Sequence, residues 1–292
     1  MLEFWNEVLT IMEGYIMNHK NSILFALIAI LCFSATSALA EDTTMNGQYL
    51  NPSVEGEPIL SPPVLMIDFD DSIPMHNMGI AWDGTYYYTS NGGTASVGQI
   101  NTYDINGVFV SSVACAIDMR SIFYNSADGN LYSKVYGTDL YQVNPVTGSA
   151  TLILAGIFQQ TQSCPAITPD GLFLLEHYAG TVYFYDFPTG ALVNTIPGFT
   201  TGGFPSDQAV GTDGSRIFTW DGSTVYVTDM GGVVIENYSL PSGNYGFSLK
   251  YVNGLLFASV DGSGGTGHWY GYDVGQVALE HSSWASIKGF FQ

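Results

Sequence analysis

The chain has 292 residues, and its six Lys and Arg stand against 26 Asp and Glu, a formal charge of −20. A surface of that sign repels nucleic acid and anionic lipid, so both are excluded as partners. Charged residues make up only 11% of the chain beside 46% hydrophobic residues and 34 Gly, which excludes a solvated acidic tail and leaves a folded domain rich in turns.

In chain order, residues 1–16 ("MLEFWNEVLTIMEGYI") carry Glu3, Glu7 and Glu13 where an export signal needs positive charge. They read as a mis-called upstream start, with translation expected from Met17. Residues 17–40 then form a signal peptide: a polar start with Lys20, an apolar run from Ile23 to Phe33, and small residues ending at Ala40. The apolar run is too short to span a bilayer, so no membrane association is expected after cleavage before Glu41. The expected location is secreted, extracellular or periplasmic. Residues 41–62 have no strand period and read as a linker. Of the three cysteines, Cys32 leaves with the signal. Cys115 and Cys164 most simply form a disulfide in an exported chain; two buried thiols are the other reading.

From residue 63 two punctuation marks repeat. Asp-Gly or Asn-Gly turns stand at Asp83, Asp128, Asp170, Asp213 and Asn253, 45, 42, 43 and 40 residues apart. Such pairs tolerate the positive φ of tight hairpins. A second mark, an Asp or Asn that ends a Tyr-rich strand shortly before a Gly, falls at Asp104, Asn144, Asp186, Asp229 and Asp273, 40, 42, 43 and 44 residues apart. Each unit therefore holds four short strands, for example "RIFTW" after the first turn and "VVIENYSL" after the second.

A four-stranded unit of this period, repeated, predicts an all-β fold: a β-propeller of four-stranded antiparallel blades over residues 63–281. Five units are present. A sixth blade would have to draw on residues 41–62. "PVLMIDFDDSIPMHNMGIAWDG" (63–84) aligns with "GVVIENYSLPSGNYGFSLKYVNG" (232–254), so the first strand is a stray outer strand expected to close the ring on the last blade. The turn at Asp186–Gly190, "DFPTG", and its looser copies resemble repeats of the YVTN, NHL and PQQ-like propeller superfamily. The resemblance implies a scaffold rather than an activity. The Trp that quinone-binding repeats carry after the Gly is replaced by Ala191, Leu192 and Val193, so no quinone is expected. Residues 282–292 form a short tail, "SSWASIKGFF" with a final Gln.

Propeller topology puts the second-to-third and fourth-to-first connections on one face, around the channel. The residues leading into inner strands there include Asn77, Arg120, Asp207 and Tyr245, with Glu176 and Trp220 at the second-to-third connections, and these six are the expected ligand contacts. His76, His177 and His268 map to the same face and, with Asp221 and Asp261, could hold a divalent cation, zinc or calcium. The plainer reading of these residues is solvated loops and turns. Tyr136, Tyr178, Trp220, Tyr245 and Trp269 could instead offer a platform for sugar rings. No Gly-x-Ser-x-Gly elbow or phosphate loop is present. The expected function is a binding or surface-interaction module for a small molecule, glycan or protein, at the channel mouth on that face. The alternatives are a metal-dependent lactonase- or lyase-type propeller enzyme and a structural matrix component.

Overall fold

The computed structural model describes residues 62–71, 75–93, 97–200, 202–203, 206–240, 245–260 and 267–275. The expected upstream start, signal peptide, most of the linker and the tail lie outside these residues, as does Asp261. Among the described residues, twenty strands form five four-stranded antiparallel sheets, the blades of a propeller. Strand β1 (Val64–Asp71) precedes the first blade, which holds β2 (His76–Trp82), β3 (Tyr87–Gly92), β4 (Gly98–Tyr103) and β5 (Phe109–Cys115). The second holds β6 (Phe123–Asn125), β7 (Asn130–Lys134), β8 (Leu140–Val143) and β9 (Ala150–Leu154). The third holds β10 (Ala166–Ile167), β11 (Phe173–Tyr178), β12 (Thr181–Asp186) and β13 (Leu192–Pro197). The fourth holds β14 (Gly211–Thr212), β15 (Arg216–Trp220), β16 (Thr224–Asp229) and β17 (Val234–Ser239). The fifth is β18 (Tyr245–Val252), β19 (Leu255–Val260), β20 (Gly267–Asp273) and, as its outer strand, β1. Val64 pairs with Asp273 and Asp71 with Gly267, which closes the ring as the sequence pattern predicts.

The two repeated marks are the two turns on one face of each blade. Asp104 accepts the amides of Asn106 and Val108 at its Oδ1, and Asn144 those of Val146 and Thr147. An acid or amide at the end of the third strand thus caps its own turn. Gly190 closes the turn after Asp186 at φ 69°, a left-handed conformation that costs glycine nothing.

The core is five clusters, one in each interface between neighbouring blades, and not a single interior. Phe69, Ile80, Tyr87, Tyr103, Phe257 and Trp269 join blades five and one. Phe123, Tyr132, Leu140, Leu174 and Tyr185 join two and three, and Phe218, Trp220, Leu249 and Leu256 join four and five. Around the channel the inner strands crowd so closely that a Cβ on Gly79 would stand 2.5 Å from the Ile122 amide nitrogen.

The cysteines do not pair. Cys115 ends the outer strand of the first blade and is buried against the second, whereas Cys164 leads into β10 at the channel, its Sγ donating to the Met78 carbonyl. The propeller's radius holds an outer strand away from the axis, and no sequence spacing reveals that. Burial also pushes the Cys115 thiol up. A thiol titration is therefore expected to register neither cysteine in native protein and both in denaturant; oxidised sulfur in the unreduced, unfolded chain would contradict this.

Candidate functional site

At the loop face, strand register sets the chemistry. In each blade two successive second-strand residues point to opposite neighbours at one level: Thr89 and Ser90, Ser133 and Lys134, Glu176 and His177, Thr219 and Trp220, Ala258 and Ser259. All ten are buried. The result is a belt under the loops that is polar at eight of these ten positions, Trp220 and Ala258 belonging to the apolar cluster between blades four and five. Its two charged members, Lys134 and Glu176, meet in the interface between blades two and three.

Glu176 is fully engaged. It accepts the Gln159 and Gln160 amides at 2.8 and 3.0 Å, the Ser163 hydroxyl, and the Tyr185 hydroxyl at 2.6 Å. One carboxylate thereby ties the connection between two blades to the second strand of the next. Lys134 is 0% exposed and its Nζ has no hydrogen-bond partner. Burial pushes its amine down from 10.5 to about 7, against the attraction of Glu176 and with the help of the nearby Arg120 charge. Arg120, at the lead-in to the second blade, holds Asp118 at 2.8 Å, reaches Gln162 at 3.4 Å and lies over the Tyr136 ring at 4.8 Å, while its Nε has no partner.

Three other expected contacts share this end of the channel. Asn77 is buried beside Gly267 with both side-chain polar atoms unpartnered. Asp207 sits in a 3-10 turn, Ser206–Gln208, with Oδ1 unpartnered and its pKa raised by burial against a backbone hydrogen bond; Gln208 beside it has an unpartnered Oε1. Tyr245 begins β18, and its side chain lies outside the described ones. Trp220 is placed differently: it is 1% exposed and packs in the core between blades four and five. Trp269 is likewise core, donating to the buried Asp71 at 3.2 Å, so neither serves a sugar platform. An aromatic closing a strand can turn into a blade interface as readily as toward the channel.

The histidines take separate partners. His76 sets its ring edge-on to Phe247 at 4.9 Å. His177 is buried, its Nδ1 3.3 Å from the Ala209 carbonyl, and burial pushes it down to about 4 despite that contact. His268 lies between Asp70 at 2.6 Å and Asp68 at 3.1 Å, one on each ring nitrogen. Asp221 spends its carboxylate on its own turn: burial pushes its pKa up, but the Thr224 and Ser223 amides and the Ser223 and Tyr226 hydroxyls hold it at about 2. Among the described residues no three His, Cys, Asp or Glu side chains come together to hold a metal.

The opposite, turn-bearing face carries a feature the sequence did not suggest. A cup of about 250 Å³ opens where the inner strands end, and all five blades line it, among them Trp82, Tyr124, Ile167, Thr168, Thr212 and Tyr251. Lys250 lies at its base, with Nζ donating to the carbonyls of Cys164 and Pro165 at 2.6 Å and of Val210 at 3.2 Å. Lys134 and this cup were illegible because their neighbours come from other repeats; the only hint was how rare a Lys is in this chain.

Comparison with protein-family models and with curated proteins finds no match. Among solved structures, 1149 chains match, so likeness at this level carries architecture and not activity. One is the crystal structure of Myxococcus xanthus glutaminyl cyclase, with a TM-score of 0.51 and 13% identity over 74% of this chain and 100% of that one. The chain is thus similar in fold, though not in sequence, to a solved propeller of that architecture.

Proposed function

We propose that the chain is an exported ligand-binding propeller whose site lies at the loop-face mouth of the channel and takes a small polar molecule. One observation carries this reading. Asn77, Arg120, Asp207 and Gln208, from the lead-ins of three blades, bring buried polar atoms without partners to the same end of the channel. Buried polar groups are nearly always satisfied, and a bound molecule supplies what the chain does not. In a thermal-shift screen of small amides, carboxylates and sugars, at least one compound is expected to raise the melting temperature, with the effect lost in Asn77→Ala and Arg120→Ala. Absence of any hit, or hits indifferent to both variants, would remove this reading.

Catalysis at the same mouth is a second reading, favoured by the unpartnered amine of Lys134 beside Glu176. An amine that titrates near neutrality suits proton transfer. The Myxococcus protein of similar fold bears an enzyme's title. A metal-dependent form of this reading would have to recruit Asp261 or other residues outside the described ones. A pH–rate profile with an inflection near 7 that disappears in Lys134→Met would select catalysis over binding.

A further inference from the structure

The cup on the turn-bearing face is a separate feature at the other end of the channel, and it does not rest on the reading above. Its walls are largely aromatic and aliphatic. Trp82 closes β2 and packs on Tyr87 at 4.5 Å between ring centroids, which fixes its plane. Tyr251 lies parallel to Phe218 at 5.5 Å, and Tyr124 stands between blades one and two. These three rings come from blades five, one and two, which are neighbours, so they line one side of the cup together. The other side is Ile167, Thr168 and Thr212.

Two cations lie by the cup, Lys250 at its base and Arg216, which bonds the Tyr251 hydroxyl; the other charges near its mouth are acids. Asp83 directly follows Trp82, Asp170 follows Pro169, and Asp128 stands two residues beyond Ser126, so the first turns of three blades carry acids near the mouth, although their carboxylates accept hydrogen bonds within their own turns and none lines the cup. Among the described residues no Lys, Arg or His lies within ion-pair distance of these three acids. A fourth, Asp213, is neutralised by Arg216 at 2.7 Å. All four described basic side chains are buried: Arg120 6% exposed, Lys134 0%, Arg216 2% and Lys250 2%. The described surface therefore presents acids with no exposed Lys or Arg. Lys250 does not reverse the sign at the mouth. Its three acceptors, Cys164, Pro165 and Val210, precede the cup-lining residues on their strands, so its ammonium is held on the loop-face side of the cup with all three protons used.

We propose that this cup binds a compact organic ammonium ion with an apolar body. The faces of Trp82, Tyr124 and Tyr251 attract a cation that is only weakly hydrated, and each such contact is worth roughly 0.5–2 kcal/mol. The acids in the neighbouring turns raise the local concentration of cations before they enter. A volume of about 250 Å³ is just below the usual range for small-molecule sites, so the cup holds one small head group and little more.

The test uses the whole protein with choline and its neutral isostere 3,3-dimethylbutan-1-ol, titrated by calorimetry and by proton NMR. Choline is expected to bind saturably, and at least about tenfold more tightly than the alcohol. Trp82→Ala and Tyr124→Ala are each expected to weaken choline about tenfold. Tyr124→Phe, which keeps the ring, should retain binding, and Asp83→Asn should weaken it about twofold at low salt and not at high salt. Circular dichroism of each variant checks the fold, and Tyr124→Phe keeps the test valid if an alanine variant does not fold. Equal binding of choline and the alcohol would overturn the proposal, because it would show an apolar cup indifferent to charge. No saturable binding would overturn it too, as would a cup already filled by the chain's own tail. A loss of choline binding in Arg120→Ala would place the ion at the opposite mouth and would overturn it equally.

Discussion

Lys250→Met is expected to destabilise the propeller by about 3–5 kcal/mol, a fall in melting temperature of about 10 °C for a domain of this size. Methionine fills much the same volume, so the loss comes from what the ammonium holds. Its three donors satisfy the Cys164, Pro165 and Val210 carbonyls, which belong to the inner edges of blades three and four. Backbone carbonyls cannot be replaced along with their partner, and each one left buried and unpaired costs about 1–3 kcal/mol. The Pro165 carbonyl keeps the Ser121 hydroxyl at 2.8 Å, and burial disfavours the charged amine and lowers its pKa, so the net loss stays below the sum for three bare carbonyls. The strands involved, β10 and β14, have two residues each and few ladder bonds of their own, which makes one side chain from a neighbouring blade decisive. Denaturant unfolding monitored by tryptophan fluorescence measures the change. An unchanged midpoint would mean that water takes over the carbonyls and that the lysine is not a structural pin.

The same substitution at the other buried lysine is expected to do the opposite. Lys134→Met should stabilise the protein by on the order of 2–4 kcal/mol at pH 7, because it removes an unpartnered amine from a buried interface and leaves Glu176 its four donors. The pH dependence gives the sharper signature. Lys134 titrates near 7 in the folded chain and at 10.5 unfolded, so above about pH 7 the unfolded chain binds a proton that the folded chain has released. Raising the pH then disfavours the unfolded chain, and native stability climbs until tyrosine ionisation near pH 10 reverses the trend. In Lys134→Met that climb should lose the share Lys134 contributes and keep the share from Lys250, whose amine burial also lowers. The lower rise between about pH 4 and 6.5, which comes from His177 buried in its neutral form, should remain in both proteins. A variant less stable than the parent, with the climb intact, would show that the amine has a partner in solution.

The architecture was legible because it is written locally. An Asp-Gly pair marks a hairpin wherever it stands, and the acid of Asp104 or Asn144 caps its turn through amides two to four residues away. Five copies at one period then leave a ring as the way to bury both faces of every blade. The stray strand β1 was legible for the same reason, as a fourth strand without its own third. Inter-blade chemistry is not local. Lys134 and Glu176 stand 42 residues apart and face each other only because the register of β7 against β8 turns one face of Lys134's strand toward blade three. Trp220 and Trp269 look like loop-face aromatics in sequence, and only packing shows that they fill interfaces. Of the residues expected as ligand contacts, Asn77, Arg120, Glu176 and Asp207 stand at one end of the channel, where topology alone gathers lead-ins and second-strand ends.

Closing the ring with β1 has a kinetic consequence. Val64 and Asp273 are 209 residues apart, so the final ladder forms only after the rest of the described chain is made. Until then β20 presents an open edge, and the first residues of β1 have no blade to join. Loop-closure entropy makes this the slowest contact in the fold, and the waiting intermediate is the species most exposed to strand exchange with a second copy. The last seam of the propeller is therefore its point of greatest risk during folding, even though the native ring has no edge there to attack.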